Sequence, residues 1–458
     1  MELINRDWHG QLLEVRRILA GRNQTGLKAY NSMFDADVLS YAHGDGVSRP
    51  HPYVIAKTME EFLTPENGSV DDYLYLSEDR ELLDMLTADF VHDGIPFEIA
   101  RNIALDNGSS ALICHIMEQI IKQSNVKRVC APASFYHNFP SWAEHYGLQF
   151  DVAQTERNND YKMTYFQFNN YLKKNGNGII LLLQNPNHGG AIYKETELAK
   201  IAKVAECYKA WIVVDSVFSG TEYELDYTPA LASVAGDNYA RVVTVKSTSK
   251  RFNIANARIG WCCGAKTFIT ELKQRIVNKN VSISKYSIDL LKYSFKHRTK
   301  PTSSLKSCLR RVDILKRFVS EFNGEQGREL IAVEHEPEAG HGVILSLDPL
   351  VEGLDMESID VCRMALDKFK LALSPGQALG YEGCKLRIAI SSIGLNLTYG
   401  KSREERAIII NYLSGTQSED ELFSFPYNEK GLRKGEIFFE RSLEKRFKPF
   451  LLHLGNLK

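Results

Sequence analysis

Residues 243–261 read VTVKSTSKRFNIANARIGW, and the rest of the chain can be organised around them. The alternating, β-branched residues at 243–245 are typical of a buried strand. Two serines and Lys250 end this strand pattern, and Arg258 comes just before a second apolar run at 259–263. Because open α/β sheets bind ligands at the carboxyl ends of their strands, these groups are expected at a ligand-binding edge. Together they suit a phosphorylated aldehyde, since lysine forms Schiff bases and a guanidinium fork with hydroxyls binds phosphate.

Composition limits the class of protein. The chain has 458 residues, 44% hydrophobic and 25% charged, which is enough for one large folded unit and a smaller one. Its 56 basic and 57 acidic residues nearly balance, so charge indicates neither a nucleic-acid nor a membrane partner. The eight cysteines form no C-x-x-C pair, and the apolar runs are too short for a signal sequence or a membrane span. We therefore expect a cytoplasmic protein with reduced thiols.

Short apolar runs alternate with amphipathic helical patterns between about residues 100 and 265. This alternation favours βαβ units and a mostly parallel sheet, followed from about residue 301 by a smaller α+β region. The glycine-rich dinucleotide fingerprint and the Walker A loop are absent from the sequence, which counts against nicotinamide and nucleoside-triphosphate sites. The predicted strands lie at 128–131, 149–152, 179–183, 211–214, 241–245 and 259–263.

The motif around Lys250 resembles the lysine signature of fold-type I pyridoxal-phosphate (PLP) enzymes of the class I/II aminotransferase family, roughly S-x-[SA]-K-x7-R-x-G. It is matched by Ser247, Ser249, Lys250, Arg258 and Gly260. The resemblance covers about residues 40–410 and implies an α/β, aspartate-aminotransferase-like fold with a large domain and a smaller α+β domain. The large domain would hold a mostly parallel, seven-stranded-type sheet flanked by helices. We place the N-terminal arm, part of the small domain, at 1–50, the large PLP-binding domain at 51–300, the small domain at 301–415 and an extension at 416–458.

A second motif, NGSSA at 107–111, opens the first helix of the predicted sheet. Glycine allows close approach of the backbone, and the amides of a helix N-terminus attract phosphate. The resemblance implies that this segment is the phosphate cup, through Gly108, Ser109 and Ser110. It also assigns the phosphate to Arg258 and Ser247, with Ser249 as a weaker candidate.

Three residues are implied to contact the cofactor ring. Tyr136 would stack on the ring, with Phe135 as second choice and a core aromatic as the alternative interpretation. Asp215 ends the apolar run at 211–214, where a buried carboxylate is costly unless it meets a cation such as the protonated pyridine nitrogen. Phe218 stands where the family usually has a tyrosine that touches the phenolic oxygen, so the course of the reaction stays open.

Residues 184–190, QNPNHGG, resemble the family's N-P-x-N-P-T-G loop. Asn187 best matches the asparagine that binds the phenolic oxygen beside the substrate, and Asn185 is the alternative. His188 and Gly189 replace the family's Pro-Thr pair. His188 is either an additional acid or base or a structural, solvated histidine.

The remaining roles concern catalysis and the substrate. Lys250 would carry the Schiff base and then move the proton between the substrate Cα and C4′ of the cofactor. Arg387, in CKLRI at 384–388, would bind the substrate α-carboxylate as a bidentate fork, unless it is a surface arginine on an edge strand. No metal is expected. The family's shared active site implies a homodimer, with Tyr73 or Tyr75 reaching the partner subunit's site.

These residues predict a PLP-dependent aminotransferase that acts on an amino acid and a 2-oxo acid. The alternative on the same scaffold is a lyase, decarboxylase, cyclase or oxidase of amino acids. A PLP-binding regulator without catalysis is a different class, but it would need a DNA-binding region, and the roughly 45 N-terminal residues are too few and insufficiently basic. The segment after about residue 415 is either a cover or partner site, or a packed helix.

Overall fold

The computed structural model describes residues 38–42, 44, 46, 50–64, 79–153, 155–280, 282–297, 302–391, 403–426 and 429–457. Most of the predicted N-terminal arm at 1–50 lies outside these ranges. Tyr73 and Tyr75 lie outside them as well.

Strands and helices alternate through the first part of the described chain. The strands are β1 Leu39–Ser40, β2 Ile103–Asp106, β3 Arg128–Pro132, β4 Gln149–Ala153, β5 Ile179–Gln184, β6 Trp211–Asp215, β7 Val242–Ser247, β8 Gly260–Cys263, β9 Ala332–Val333, β10 Gly342–Ser346, β11 Leu371–Ala372, β12 Ser374–Pro375 and β13 Lys385–Ala389. The helices are α1 Pro52–Leu63, α2 Arg80–His92, α3 Phe97–Ala100, α4 Ser109–Gln123, α5 Phe139–His145, α6 Tyr165–Asn175, α7 Glu195–Tyr208, α8 Thr248–Arg251, α9 Lys266–Lys279, α10 Lys285–Lys296, α11 Thr302–Gln326, α12 Asp348–Val351, α13 Ser358–Phe369, α14 Arg403–Leu413, α15 Glu419–Phe423, α16 Glu429–Ser442 and α17 Lys448–Gly455.

The large sheet has seven strands in the order β2-β8-β7-β6-β5-β3-β4. Only β8 runs antiparallel to its two neighbours, which confirms the expected mostly parallel sheet. Strands β5, β6 and β7 are buried along their whole length because helices cover both faces, as their continuous apolar runs predict. Strand β2 is missing from the predicted set because its four residues, IALD, are few and include one β-branched residue.

A second, four-stranded antiparallel sheet has the order β12-β13-β10-β9. Its inner residues, including Val343, Leu345 and Leu386, share one hydrophobic cluster with helices α11 and α13. The large sheet is instead covered by two other clusters, one on each face. The described chain is thus built around two sheets, each with its own core.

The C-terminal segment packs against the hydrophobic clusters of both the large and the small sheet. Ile408 and Ile409 of α14 and Leu422 of α15 join the cluster that also contains α1. Phe439 of α16 and Phe450 of α17 lie in the cluster of the small sheet and are fully buried. The described helices after residue 403 therefore contribute to the cores. Among the described helices, none combines the length and the apolar character that crossing a bilayer requires.

Candidate active site

A cavity of about 320 Å³ lies at the carboxyl ends of β5, β6 and β7, between the large sheet and the small one. It brings together most of the residues that the sequence singled out. Gly108, Asn187 and Ser247 do not line it but are close in sequence to residues that do. The predicted residues in its wall are Ser109, Ser110, Tyr136, Asp215, Phe218, Ser249, Lys250, Arg258 and Arg387.

Lys250 lies in the short helix α8, immediately after β7. The Ser247 hydroxyl accepts a hydrogen bond from the Ser249 amide, 3.2 Å away, and so caps this turn. The half-buried amine of Lys250 donates to the Gly44 carbonyl at 2.8 Å. The chain therefore turns at the strand end so that a lysine amine lies in the cavity wall.

Asp215 ends β6 and is only 4% exposed. Its carboxylate accepts hydrogen bonds from the Gln184 side-chain amide at 2.9 Å and from the Val217 backbone amide at 3.2 Å. Both donors are uncharged, and within the described residues the carboxylate has no cationic partner. Burial raises the pKa of Asp215 to about 6, although the two hydrogen bonds act in the opposite direction. The site thus holds a buried acid that a cation from outside would stabilise as the carboxylate.

Arg258 and the first turn of α4 line one corner of the cavity, and Gly108 lies next to this corner. Gly108 has φ of 90°, which favours glycine, and a Cβ there would lie 2.5 Å from Nη2 of Arg258. A Cβ on Gly260 would similarly lie 2.5 Å from the amide nitrogen of Ser109. Free amides at a helix N-terminus beside a guanidinium group suit a phosphate.

Of the two aromatic residues considered for ring stacking, Tyr136 lines the cavity and Phe135 does not. Phe135 is 1% exposed and packs edge-on against Phe150, with 5.2 Å between ring centroids. Tyr136 stacks on the His188 ring, with centroids 5.7 Å apart and planes 15° from parallel. Phe218 meets the same imidazole edge-on at 5.3 Å. Three aromatic rings therefore meet on this side of the cavity.

In the loop after β5, the side-chain oxygens of both asparagines accept hydrogen bonds from backbone amides. The Asn187 side-chain oxygen accepts from the amides of Gly189 and Ala191, each at 3.0 Å, so this side chain stabilises its own loop. Asn185 is also engaged away from the cavity: it accepts from the Tyr193 amide at 3.0 Å and donates to the Pro229 carbonyl at 2.8 Å. The loop side chain that lines the cavity is His188.

Gln184 is a site residue that sequence analysis missed. It ends the apolar strand β5, IILLLQ, and pairs in register with Asp215 on the neighbouring parallel strand. Two adjacent strands that both end in a polar residue were the signal available in the sequence. His137, Trp142 and Ser374 also line the cavity and were not assigned a role.

Arg387 comes from the small sheet, on β13. Its Nε donates to the His188 carbonyl at 3.2 Å, and its Nη1 donates to the Ala42 carbonyl at 3.4 Å. Glycine at 44 leaves room for the guanidinium group, because a Cβ there would lie 2.5 Å from Nη2. A buried guanidinium that contacts neutral carbonyls can still bind a carboxylate. Within the described residues, no cluster of three or more His, Cys, Asp or Glu side chains suits a metal ion.

The chain is similar in sequence to several known proteins. The chain is 23% identical over 318 residues to the bifunctional aspartate aminotransferase and glutamate/aspartate-prephenate aminotransferase of Petunia hybrida, covering 67% of this chain and 64% of that protein. The match thus spans slightly less than two thirds of that relative. Over 164 residues it is 28% identical to the L-serine phosphate decarboxylase of Sulfurospirillum multivorans, covering 35% of this chain and 40% of that protein.

Among solved structures, the fold is similar to that of the aspartate aminotransferase from Rhizobium meliloti, with a TM-score of 0.70 and 13% identity over 95% of this chain and 97% of that one. At this identity the likeness concerns the fold alone. The family model for class I and II aminotransferases matches residues 44–393, which is more than half of the chain. The protein therefore belongs to the family of class I and II aminotransferases.

Proposed function

We propose that the protein is a PLP-dependent aminotransferase that transfers the amino group of an amino acid to a 2-oxo acid. The observation that carries this proposal is the pair formed by Lys250 and Asp215 in one cavity wall. One supplies an amine, and the other is a buried carboxylate that has no cationic partner among the described residues. The corner at Gly108 adds space and positive charge for a phosphate, so the residues present fit PLP.

Each residue then has one task. PLP, when bound, supplies an aldehyde that condenses with amines and a protonated ring that withdraws electrons. Lys250 would hold the cofactor through its aldehyde and would move the proton from the substrate Cα. Asp215 would keep the ring nitrogen protonated, because the carboxylate has no other countercharge among the described residues. Tyr136 would contact the ring.

The two guanidinium groups bind different anions. Arg258, with Ser109 and Ser110, would hold the phosphate at the N-terminus of α4, and Ser249 would contribute its hydroxyl. Arg387 holds the substrate α-carboxylate and thereby orients the Cα. Because one arginine lies on the large sheet's side and the other on the small sheet, we expect the substrate to bind between the two.

The proposed oligomeric state rests on the family, and the proposed compartment rests on the cysteines. We propose a homodimer with shared active sites, which is testable by light scattering of the purified protein. All eight cysteines are unpaired and six of them are buried, which supports a reducing compartment such as the cytoplasm. The PLP-binding domain is proposed at 51–300 and the small domain at 301–415.

A second candidate is decarboxylation of an amino acid on the same cofactor. It is favoured by Phe218, which lacks the hydroxyl expected there, and by the similarity to a decarboxylase over 164 residues. The two reactions differ in product: transamination leaves the cofactor as an amine and forms an oxo acid, whereas decarboxylation releases carbon dioxide.

The test is a cofactor-trapping experiment followed by a screen of amino donors. Borohydride reduction of the PLP-loaded enzyme should fix the cofactor to the peptide that contains Lys250. Lys250→Ala should lose this adduct and lower turnover by about 10²–10⁴-fold, the usual contribution of a positioned proton-transfer group. The control is Lys266→Ala, since Lys266 is exposed at the start of α9. Trapping at another lysine, or no uptake of PLP by the wild type, would refute the proposal.

A further inference from the structure

Asp215, Gln184 and His188 form one chain of hydrogen bonds beside the cavity. The Gln184 Nε2 group donates to Oδ2 of Asp215 at 2.9 Å, and Oε1 of the same side chain lies 2.9 Å from Nδ1 of His188. Gln184 and Asp215 pair directly in the parallel strands β5 and β6, so the backbone holds the first link in place. His188, at the other end of the chain, lines the cavity.

The chain of bonds fixes which nitrogen of His188 carries the proton. An ionised Asp215 can only accept, so the NH₂ group of Gln184 must face it and the carbonyl oxygen must face His188. A carbonyl oxygen also only accepts, so Nδ1 of His188 must be the donor. Nε2 is then left as an unprotonated hydrogen-bond acceptor.

The groups around His188 keep its imidazole neutral. Burial, followed by the charges of Arg387, His137 and Lys250, holds the pKa of His188 well below its usual range. The other groups that face the ring are Tyr136, which stacks on it, and Phe218, which meets it edge-on. Asp215 is the acid nearest along the hydrogen-bond chain, and it acts through Gln184. A neutral acceptor inside this cavity needs a donor, and the ligand is the source of one.

The connectivity of PLP indicates which donor this is. The ring nitrogen lies opposite the aldehyde carbon, the phosphate arm is beside the aldehyde on one edge, and a hydroxyl is beside it on the other. With the nitrogen assigned to Asp215, the aldehyde to Lys250 and the phosphate to Arg258, the hydroxyl is the remaining polar substituent. This step rests on the proposed function.

We propose that His188, oriented by Gln184, is a positioning residue that accepts a hydrogen bond from the ring hydroxyl of the bound cofactor. Asn185 uses its side-chain oxygen and amide on the backbone of Tyr193 and Pro229, and the Asn187 oxygen accepts from its own loop. Of these three side chains, His188 is the one that lines the cavity. Phe218 adds no donor. A hydrogen bond to Nε2 favours the protonated ring oxygen, whereas the side-chain amide of an asparagine at 188 would donate a hydrogen bond and favour the ionised oxygen.

The test is a spectrophotometric pH titration of the PLP-loaded enzyme, which needs no substrate. His188→Asn should lower the pH at which the cofactor band changes by about one unit, the tenfold change in proton affinity that one hydrogen bond supplies. Gln184→Leu should shift the band in the same direction, because it removes the acceptor that fixes the tautomer. His145→Asn is the matched control, since His145 is exposed on α5 and should leave the titration unchanged.

Each outcome of this titration supports or overturns the proposed role of His188. A downward shift in both variants supports the proposal, and if His188→Asn does not fold, Gln184→Leu alone decides. An unchanged or upward titration in a wild type and variants that all bind PLP overturns the role of His188 while leaving the proposed function intact. Failure of the wild type to bind PLP overturns both.

Discussion

Two buried carboxylates of the large sheet region, Asp89 and Asp215, have opposite properties. Asp89, on α2, is 6% exposed, and Asp215 is 4% exposed. Burial alone would raise the pKa of Asp89, but Arg251 and Lys246 outweigh it and hold this pKa at about 2. The Lys246 amine lies 2.8 Å from Asp89 and 2.7 Å from Asp93. Asp215 has only neutral donors, and its pKa is raised to about 6.

Both acids are buried, so burial alone does not distinguish a structural carboxylate from one at a ligand site. The presence or absence of a cationic partner within the described residues does. Asp89 has its countercharges within the protein, so its ion pairs connect α2 to β7 and α8. Asp215 has hydrogen bonds but no countercharge in the described part of the chain, and it faces a cavity. A carboxylate in that state costs stability until a cation arrives.

The largest effect is expected from Asp89→Asn. Removing this charge leaves Lys246 and Arg251 buried with one acid fewer, and breaking a buried ion pair in this way costs about 3–5 kcal/mol. Urea unfolding of the wild type and the variant at pH 7 measures the difference. A loss below about 1 kcal/mol would mean that Asp89 behaves like a surface charge and would remove the basis of the comparison.

A smaller effect with the opposite sign is expected from Asp215→Asn in the ligand-free protein. Because the folded-state pKa of Asp215 is raised from 3.8 to about 6, its contribution to stability is complete below pH 4 and is lost as the pH rises through 6. Above that range the variant should be more stable than the wild type by about 3 kcal/mol, the equivalent of roughly two pKa units. Unfolding free energies measured from pH 4 to pH 8 test this.

Two results would contradict that prediction. One is a stability difference that does not change with pH. The other is a variant that is less stable than the wild type at pH 8, because this would show that Asp215 already has a countercharge in the ligand-free protein.

The smallest effect is expected from Lys316→Ala. Lys316 and Glu336 form an ion pair of 2.7 Å, but their side chains are 45% and 58% exposed. Water and salt screen such a pair, so its loss should change the unfolding free energy by less than about 1 kcal/mol. The same urea experiment measures this change, which serves as the reference for the change in Asp89→Asn. If Lys316→Ala lost as much unfolding free energy as Asp89→Asn, exposure would not distinguish the surface ion pair from the buried one.

Much of the fold was predictable because continuous apolar runs in the sequence indicate buried strands. The apolar runs that became β5, β6 and β7 are continuous, and each is followed by a polar residue or a turn at the edge where the cavity lies. Lys250 and Asp215 were found for this reason. Both residues come at or just after the end of a continuous apolar run, which is the pattern that predicts a buried strand.

The loop at 184–190 was less predictable because its side chains are directed both by local hydrogen bonds and by aromatic contacts that are distant in sequence. Asn187 satisfies the amides of its own loop, and the adjacent His188 is placed by Gln184, Tyr136 and Phe218. A shift of one position decides which side chain enters the cavity, and spacing alone does not contain that information. The packing of the C-terminal helices was also not predictable, because their contact partners are distributed over two hydrophobic clusters.

Whether the cation of PLP is the missing partner of Asp215 is tested most directly by comparing how much PLP stabilises the wild type and Asp215→Asn. Unfolding free energies at pH 8, with and without saturating PLP, provide the four values needed. If the cofactor's cation is the missing partner of Asp215, PLP stabilises the wild type more than the variant, by about the 3 kcal/mol that the unpaired carboxylate costs. Equal stabilisation of the two proteins would contradict the account.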